Sequence, residues 1–335
     1  MDDSQIEKKH LIYQSKLNEV LSNLLETLPQ LNAALVVDFD GLFIANQSKK
    51  KINESILSAV MALIDTTMKR IKTLTTSSIG SGIFNIDEYQ LIFMELGEHT
   101  PAILVLLTDT TSNLDDIIPY LYIIGEKVSQ ILNARNVSLF VPKINPEKII
   151  FIETHEKPSN AENLLIKLIV LGDVAVGKSS LMNLFVNGEF EHDYIPTVGI
   201  SIFEKEMQIS NKVKIIYQIF DTSGLRSYRK VRKIFLGHSE IVLIIFDFTR
   251  LETLENIEKW IEESKNFISG NDVIYFLIGN KIDLIEYSDE LRQIAKNIAD
   301  RHNYQFFITS AITGEGIDEV FTSLLTIISN KKSIF

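Results

Sequence analysis

Apolar positions in the first 135 residues switch repeatedly between a helical and a strand period. Leu17, Val20, Leu21, Leu24, Leu25 and Leu28 recur at helical spacing, and Pro29 ends that helix. A short strand is predicted over 33–37. Asp40-Gly41 then turns the chain into Leu42-Phe43-Ile44-Ala45, a hairpin signal. Ile52, Ile56, Val60, Leu63, Ile64, Met68, Ile71 and Leu74 predict a long helix, apolar almost all round at Met61-Ala62-Leu63-Ile64. One sheet contact buries only one stripe of a helix. Strands are predicted around 79–86, 89–96 and 102–107, with Gly97 and Pro101 between the last two. A third helix carries Leu114, Ile117, Ile118, Leu121, Ile124, Val128 and Ile131. The order is α-β-β-α-β-β-β-α.

A connector follows. Pro142, Pro146 and Pro158, with Asn, Lys and Glu between them, break helices and stiffen the chain over 134–163. Its short apolar pieces, 137–141 and 148–152, are read as extended segments that can lie against one of the domains. Beyond it the pattern changes. Leu164-Leu165-Ile166-Lys167-Leu168-Ile169-Val170-Leu171 is a nearly continuous apolar run, as a buried parallel strand requires. Further strands are predicted over 212–220, 241–246 and 273–278, alternating with helical stretches. Trp260, within the helical stretch 254–267, is read as a packing residue. The helix after Gly316 presents Val320, Leu324, Leu325 and Ile328. This alternation predicts a right-handed doubly wound sheet with its ligand site at the carboxyl ends of the strands.

Length and composition narrow the functional classes. At 335 residues two domains and a connector are expected: 1–135, 136–163 and 164–335. With 45% hydrophobic and 23% charged residues the composition is that of a soluble globular protein. The net charge of −11 argues against non-specific nucleic-acid or anionic-membrane binding. No apolar run approaches transmembrane length, and Met1-Asp2-Asp3-Ser4 is no secretory signal, so a cytoplasmic protein is expected. Cysteine is absent, which excludes disulfides, thiol catalysis, prenylation and palmitoylation. Residue 2 is not Gly, so myristoylation is not expected either, and no direct lipid anchor remains. His10, His99 and His155 are scattered and read as surface residues.

The candidate chemistry is concentrated after residue 164. Gly172-Asp173-Val174-Ala175-Val176-Gly177-Lys178-Ser179 reads G-x-x-x-x-G-K-[ST], the phosphate-loop pattern, and sits between a predicted strand and the helix opening at Ser180. Backbone N–H groups of such a loop converge on phosphate oxygens. Lys178 adds a charge for the β and γ phosphates, and the Ser179 hydroxyl is placed to ligate Mg²⁺. Downstream, Thr197 in Tyr194-Ile195-Pro196-Thr197-Val198-Gly199 can offer its hydroxyl to Mg²⁺ and its backbone to the γ-phosphate. Asp221 in Asp221-Thr222-Ser223-Gly224 can hold Mg²⁺ through water, and the Gly224 N–H can meet the γ-phosphate. In Gly279-Asn280-Lys281-Ile282-Asp283, the Asp283 carboxylate can accept both donors of a guanine edge, while Lys281 packs along the base. Adenine lacks those donors and would leave a charge unpaired. Ser310-Ala311 would bring a backbone N–H to the guanine O6.

These five motifs, in this order, resemble the Ras superfamily of small GTPases, with residues 164–331 as a P-loop NTPase domain. Thr197-Val198-Gly199-Ile200-Ser201-Ile202-Phe203 and Ile234-Phe235-Leu236-Gly237-His238 are closest to its Rab-like branch, although the Rab C-terminal cysteines are missing. The resemblance implies GTP or GDP with Mg²⁺, hydrolysis involving Lys178, Thr197 and Gly224, and regulators or effectors at the switch loops. Two positions depart from the family. Leu225 stands where the family has the water-positioning glutamine. Val174 stands where Ras has glycine and many Rab-like members have serine. Both imply slow hydrolysis. A GTP-loaded scaffold that does not hydrolyse is the alternative.

The first 135 residues resemble the Roadblock/LC7 domain through Leu35-Val36-Val37-Asp38-Phe39-Asp40-Gly41-Leu42-Phe43-Ile44-Ala45 and the element order. A longin- or profilin-like α/β domain is the rival. The Roadblock resemblance implies an α/β sandwich that forms a homodimer, or binds a Roadblock partner, through its second helix and the strand after it.

Overall fold

The computed structural model describes residues 3–49, 66, 80–86, 88–97, 99–145, 150–151, 162–191, 193–210, 213–268, 272–285 and 289–332. It divides into two compact units, Met1–Pro146 and Glu147–Phe335.

In the first unit, helix α1 (Asp3–Thr27) starts earlier than the apolar spacing indicated. It buries Leu17, Val20, Leu21, Leu24 and Leu25 against strands β1 (Leu31–Asp38) and β2 (Phe43–Ser48). The hairpin turn forms where Asp-Gly placed it. Asp38 Oδ1 accepts the N–H groups of Asp40 at 2.9 Å and Leu42 at 2.8 Å, and Gly41 takes φ 83°. That left-handed conformation is cheap only for glycine. Strands β3 (Ser81–Ile86), β4 (Tyr89–Glu95) and β5 (Ala102–Asp109) complete an antiparallel sheet of order β2-β1-β5-β4-β3. Ala33, Leu35, Val37, Phe93, Ile103 and Val105 form one core layer on it. Helix α2 (Leu114–Leu132) packs on β4, β5 and α1. The long helix expected over 52–74 lies outside the described residues, apart from Thr66.

The start of the connector is tied to this unit. Asn23 Nδ2 donates to Leu139 O at 2.9 Å, and Thr27 Oγ1 to Val141 O at 3.2 Å. The Tyr120 hydroxyl donates to Pro142 O at 3.1 Å and accepts from the Ile144 N–H at 3.0 Å.

The second unit contains a six-stranded sheet. Its strands are β6 (Glu162–Leu171), β7 (Ile200–Ser210), β8 (Val213–Thr222), β9 (Ile241–Asp247), β10 (Ile274–Asn280) and β11 (Gln305–Ile308). Their order is β11-β10-β9-β6-β8-β7, parallel except for the β8–β7 pair. Strand β7 is absent from the expectation. It is a half-exposed edge strand with charges at Glu204, Lys205 and Glu206, so it lacks the apolar run that marks its neighbours. The helices are α3 (Lys178–Asn187), α4 (Arg229–Leu236), α5 (Leu251–Glu255), α6 (Ile257–Phe267), α7 (Asp289–His302) and α8 (Ile317–Lys331). One face of β6, Ile166, Leu168 and Val170, joins Leu181 and Met182 of α3 and Val320, Phe321, Leu324 and Ile328 of α8 in the main core. Lys167 interrupts the other face. Its ammonium is buried, donates to Gly237 O at 2.7 Å and lies 5.0 Å from the Phe220 ring centroid. Burial pushes its pKa down to about 7. Because β6 lies between β8 and β9, strand order reverses at its carboxyl end, and a crevice opens there.

Tyr120→Phe should destabilise the first unit by about 1–3 kcal/mol, since it strands a buried carbonyl and a buried N–H together. Hydrogen exchange should rise over 139–145 in the variant. Unchanged protection there would show that the hydroxyl does not anchor the segment.

Candidate functional site

The phosphate loop fills the crevice. Strand β6 ends at Leu171 and α3 begins at Lys178, so 172–177 must reverse the chain in a few residues. Ala175 takes φ 61° and Gly177, the N-cap of α3, takes φ 95°. A Cβ on Gly177 would lie 2.2 Å from Asn280 Nδ2, so conformation and space both require glycine. The loop thereby aims backbone N–H groups at the amino end of α3, where an anion is favoured. Lys178 is buried and donates to Gly172 O at 3.0 Å and Asp173 O at 2.8 Å. Burial lowers its pKa to about 8, and the Asp221 carboxylate opposes that shift.

Beside the lysine, three oxygen-bearing side chains converge from three elements. Ser179 Oγ donates to Asp221 Oδ2 at 2.5 Å and lies 3.0 Å from Thr197 Oγ1. Thr197 Oγ1 is 3.5 Å from the same carboxylate oxygen. Asp221 Oδ1 is buried with no hydrogen-bond partner. Burial raises the Asp221 pKa to about 6, against the opposing pull of Lys178 and the two hydroxyls. An all-oxygen set with an unsatisfied buried carboxylate oxygen fits Mg²⁺, a hard cation that takes one or two carboxylates and keeps several waters. In this set Ser179 and Thr197 would supply the hydroxyl oxygens and Asp221 the carboxylate. Gly224 approaches the loop so closely that a Cβ there would sit 2.5 Å from Val174 N.

On the base side the expected residues divide their work. Asn280 is a strut. Its Nδ2 donates to Val176 O at 2.9 Å, while its Oδ1 accepts from Thr309 Oγ1 at 3.1 Å and the Ala311 N–H at 3.2 Å. It thereby ties the phosphate loop to 309–311. Ser310 is buried, and its Oγ accepts the N–H groups of Ile312 and Thr313 at 3.2 and 3.1 Å. Asp283 is exposed, in the 3₁₀ turn Ile282–Leu284. Lys281 takes φ 66° and pairs with Asp247 Oδ2 at 2.7 Å.

The sequence reading missed the residues that grip the loop from behind. Asp173 is held by Asn256 Nδ2 at 2.7 Å and Trp260 Nε1 at 2.8 Å. Trp260 does pack, as expected, but a buried indole N–H needs an acceptor, and here that acceptor is in the phosphate loop. Arg250 Nη2 donates to Val174 O at 2.7 Å, and its Nε to Asp247 Oδ2 at 3.0 Å. Burial pushes the Asp247 pKa up, but hydrogen bonds from Lys281 and Thr249 outweigh it and hold the carboxyl below its usual range. Arg232 lies 4.8 Å from the Trp260 ring centroid. Its Nε donates to Glu263 Oε1 at 2.6 Å, and its Nη1 to both Ser223 O and Leu225 O at 2.7 Å. No local motif announces the contacts to Asp173 and Val174 or the Arg232–Glu263 pair, because each joins positions more than thirty residues apart in the chain.

Arg232→Met should destabilise this unit by about 3–5 kcal/mol, because Glu263 would stay buried beside only a longer contact to Arg229. Arg232→Met with Glu263→Leu should recover the part of that loss that comes from the stranded carboxylate, leaving the part that comes from the Ser223 and Leu225 carbonyls. Equal destabilisation by the single and double variants in chemical denaturation would show that the unpaired Glu263 is not the source of the loss.

The chain matches the Ras family over residues 167–330. It is 33% identical over 170 residues to "Ras-related protein RABA1h" of Arabidopsis thaliana, covering 51% of this chain and 77% of that protein. It is 34% identical over 173 residues to "Ras-related protein Rab11A" of Lotus japonicus, covering 51% and 76%. To "Ras-related protein YPTC6" of Chlamydomonas reinhardtii it is 32% identical over 170 residues, covering 51% and 78%. With the phosphate loop, the oxygen set and the base-side motif assembled at the carboxyl ends of the strands, the chain belongs to the Ras family, through a Rab-like GTP-binding switch domain that takes GTP or GDP with Mg²⁺.

Proposed function

We propose that this protein is a guanine-nucleotide switch with slow intrinsic hydrolysis, joined to a Roadblock/LC7-like domain that dimerises or regulates it. The observation that carries the slow step is Leu225. Its isobutyl side chain neither orients an attacking water nor stabilises charge, and its carbonyl is already committed to Arg232. Val174 adds bulk in the loop where Gly224 comes closest. Lys178 neutralises charge on the β and γ phosphates, and Thr197 and Gly224 contact the γ-phosphate through their backbones. Bound Mg²⁺ supplies charge stabilisation at the phosphate oxygens. Asp283 selects guanine by accepting from its edge.

The first unit supports its part of the reading through its topology. Its antiparallel sheet has the order β2-β1-β5-β4-β3, and α1 and α2 pack on it and on each other. Of the dimer contact that the resemblance implies, β3 is the part that lies within the described residues. Among the described residues no helix is long and apolar enough to cross a membrane. A cytoplasmic location, with any membrane contact made through partners, is part of the same proposal.

A single-turnover measurement tests the switch. Small GTPases hydrolyse at about 10⁻⁴ s⁻¹ unaided. Loss of one positioned polar group costs ~2–3 kcal/mol of transition-state stabilisation, or about 30- to 150-fold in rate. The purified protein should retain GTP and turn over below the usual intrinsic rate, and Leu225→Gln with Val174→Gly should raise it by that factor. An ordinary rate in the parent would remove the assignment of these two residues.

Asp283→Ala should weaken GTP binding by at least about 100-fold, because the guanine donors lose their acceptor. Fluorescent-nucleotide titration measures it, and an unchanged affinity would move base recognition elsewhere.

A further inference from the structure

Residues 225–236 carry Arg226, Arg229, Lys230, Arg232 and Lys233 and no carboxylate, in a chain of net charge −11. The structure separates these cations into two groups. Arg232 points inward, where Glu263 neutralises it. Arg226, Arg229, Lys230 and Lys233 are exposed. In this stripe of cations Arg229, Lys230 and Lys233 share one face of α4 and Arg226 lies in the 3₁₀ turn that leads into it, away from the buried Tyr228, Val231, Phe235 and Leu236. Arg229 reaches Glu263 at 3.4 Å, but that carboxylate already serves Arg232. Among the described residues no carboxylate pairs with Arg226, Lys230 or Lys233. Like charges four residues apart, as Arg229 and Lys233 are, destabilise a helix. Half-buried Phe267 adds an apolar element. The Arg229 guanidinium and the Lys233 ammonium lie 5.4 and 5.8 Å from its ring centroid.

We infer that this stripe is the docking face for an acidic protein segment, whose carboxylates pair with Arg226, Arg229, Lys230 and Lys233 and whose apolar side chain meets Phe267. From Arg226 to Lys233 the stripe spans about 10–12 Å, close to two turns of a partner helix. The arginine forks match carboxylates bidentately. A planar anionic membrane would meet the field of the whole acidic chain, whereas a short segment meets the stripe alone. The inference rests on the switch reading. Arg232 joins the same helix to the carbonyls of Ser223 and Leu225, so a nucleotide-dependent shift of that backbone would move the stripe.

The test uses the full chain, loaded with GDP or a non-hydrolysable GTP analogue. The probes are a labelled helical peptide with Glu at i, i+3, i+4 and i+7 and one Phe, its Gln counterpart, and phosphatidylserine vesicles. The Glu peptide should bind, weaken with added salt and exceed the Gln peptide. Replacing all four cations with Gln should cost about tenfold in affinity, the sum of several exposed ion pairs. Equal binding of the two peptides, or vesicle binding without peptide binding, would overturn the proposal. If the fourfold variant does not fold, the salt dependence and the peptide pair decide. Guanine-nucleotide retention is measured on the same samples. Its absence would defeat the switch reading, while the peptides still decide the stripe.

Discussion

A phosphate loop can turn its N–H groups toward an anion only if something else satisfies its carbonyls and side chains, and the second unit is arranged around that constraint. Gly172 O and Asp173 O accept from Lys178, Val174 O from Arg250, and Val176 O from Asn280. The Asp173 side chain is fixed by Asn256 and Trp260. These donors come from α3, the ends of β9 and β10, and α6, so the loop is rigid because four elements meet behind it. The reversal of strand order at β6 makes this geometry possible. It leaves the loop open toward solvent and surrounded on its other sides.

The same logic extends to the segment after β8. Arg232 is a buried cation whose hydrogen bonds are divided between a carboxylate on α6 and two backbone carbonyls next to Gly224. Its stack on Trp260 joins the grip on the phosphate loop to the grip on the switch backbone. The phosphate loop and the segment after β8 are therefore braced against one helix. Leu225 joins this brace through its carbonyl.

The first unit has a simpler basis. Strands β1, β4 and β5 are almost wholly buried, so their apolar runs are long, and the Asp38–Leu42 turn fixes the register of the hairpin. Its strands were legible because turn chemistry and apolar period coincided. The beginning of the connector was less legible. Its anchors are single hydrogen bonds from Asn23, Thr27 and Tyr120, polar residues with no pattern of their own.

The sequence by itself determined the phosphate loop, the parallel core strands β6, β8, β9 and β10, and the guanine-type motif, because each needs particular residues at local spacing. The resemblance to the Ras superfamily marked Leu225 and Val174 as departures. Tertiary structure alone decided what Asn280 does, since its amide is spent tying two loops together. It alone showed that Asp247 unites Lys281 with Arg250, and that five cations of one short segment point in opposed directions. The half-exposed edge strand β7 also became visible only there. Partners separated by dozens of residues leave no periodic trace, so only the folded chain reveals which buried polar group each one satisfies.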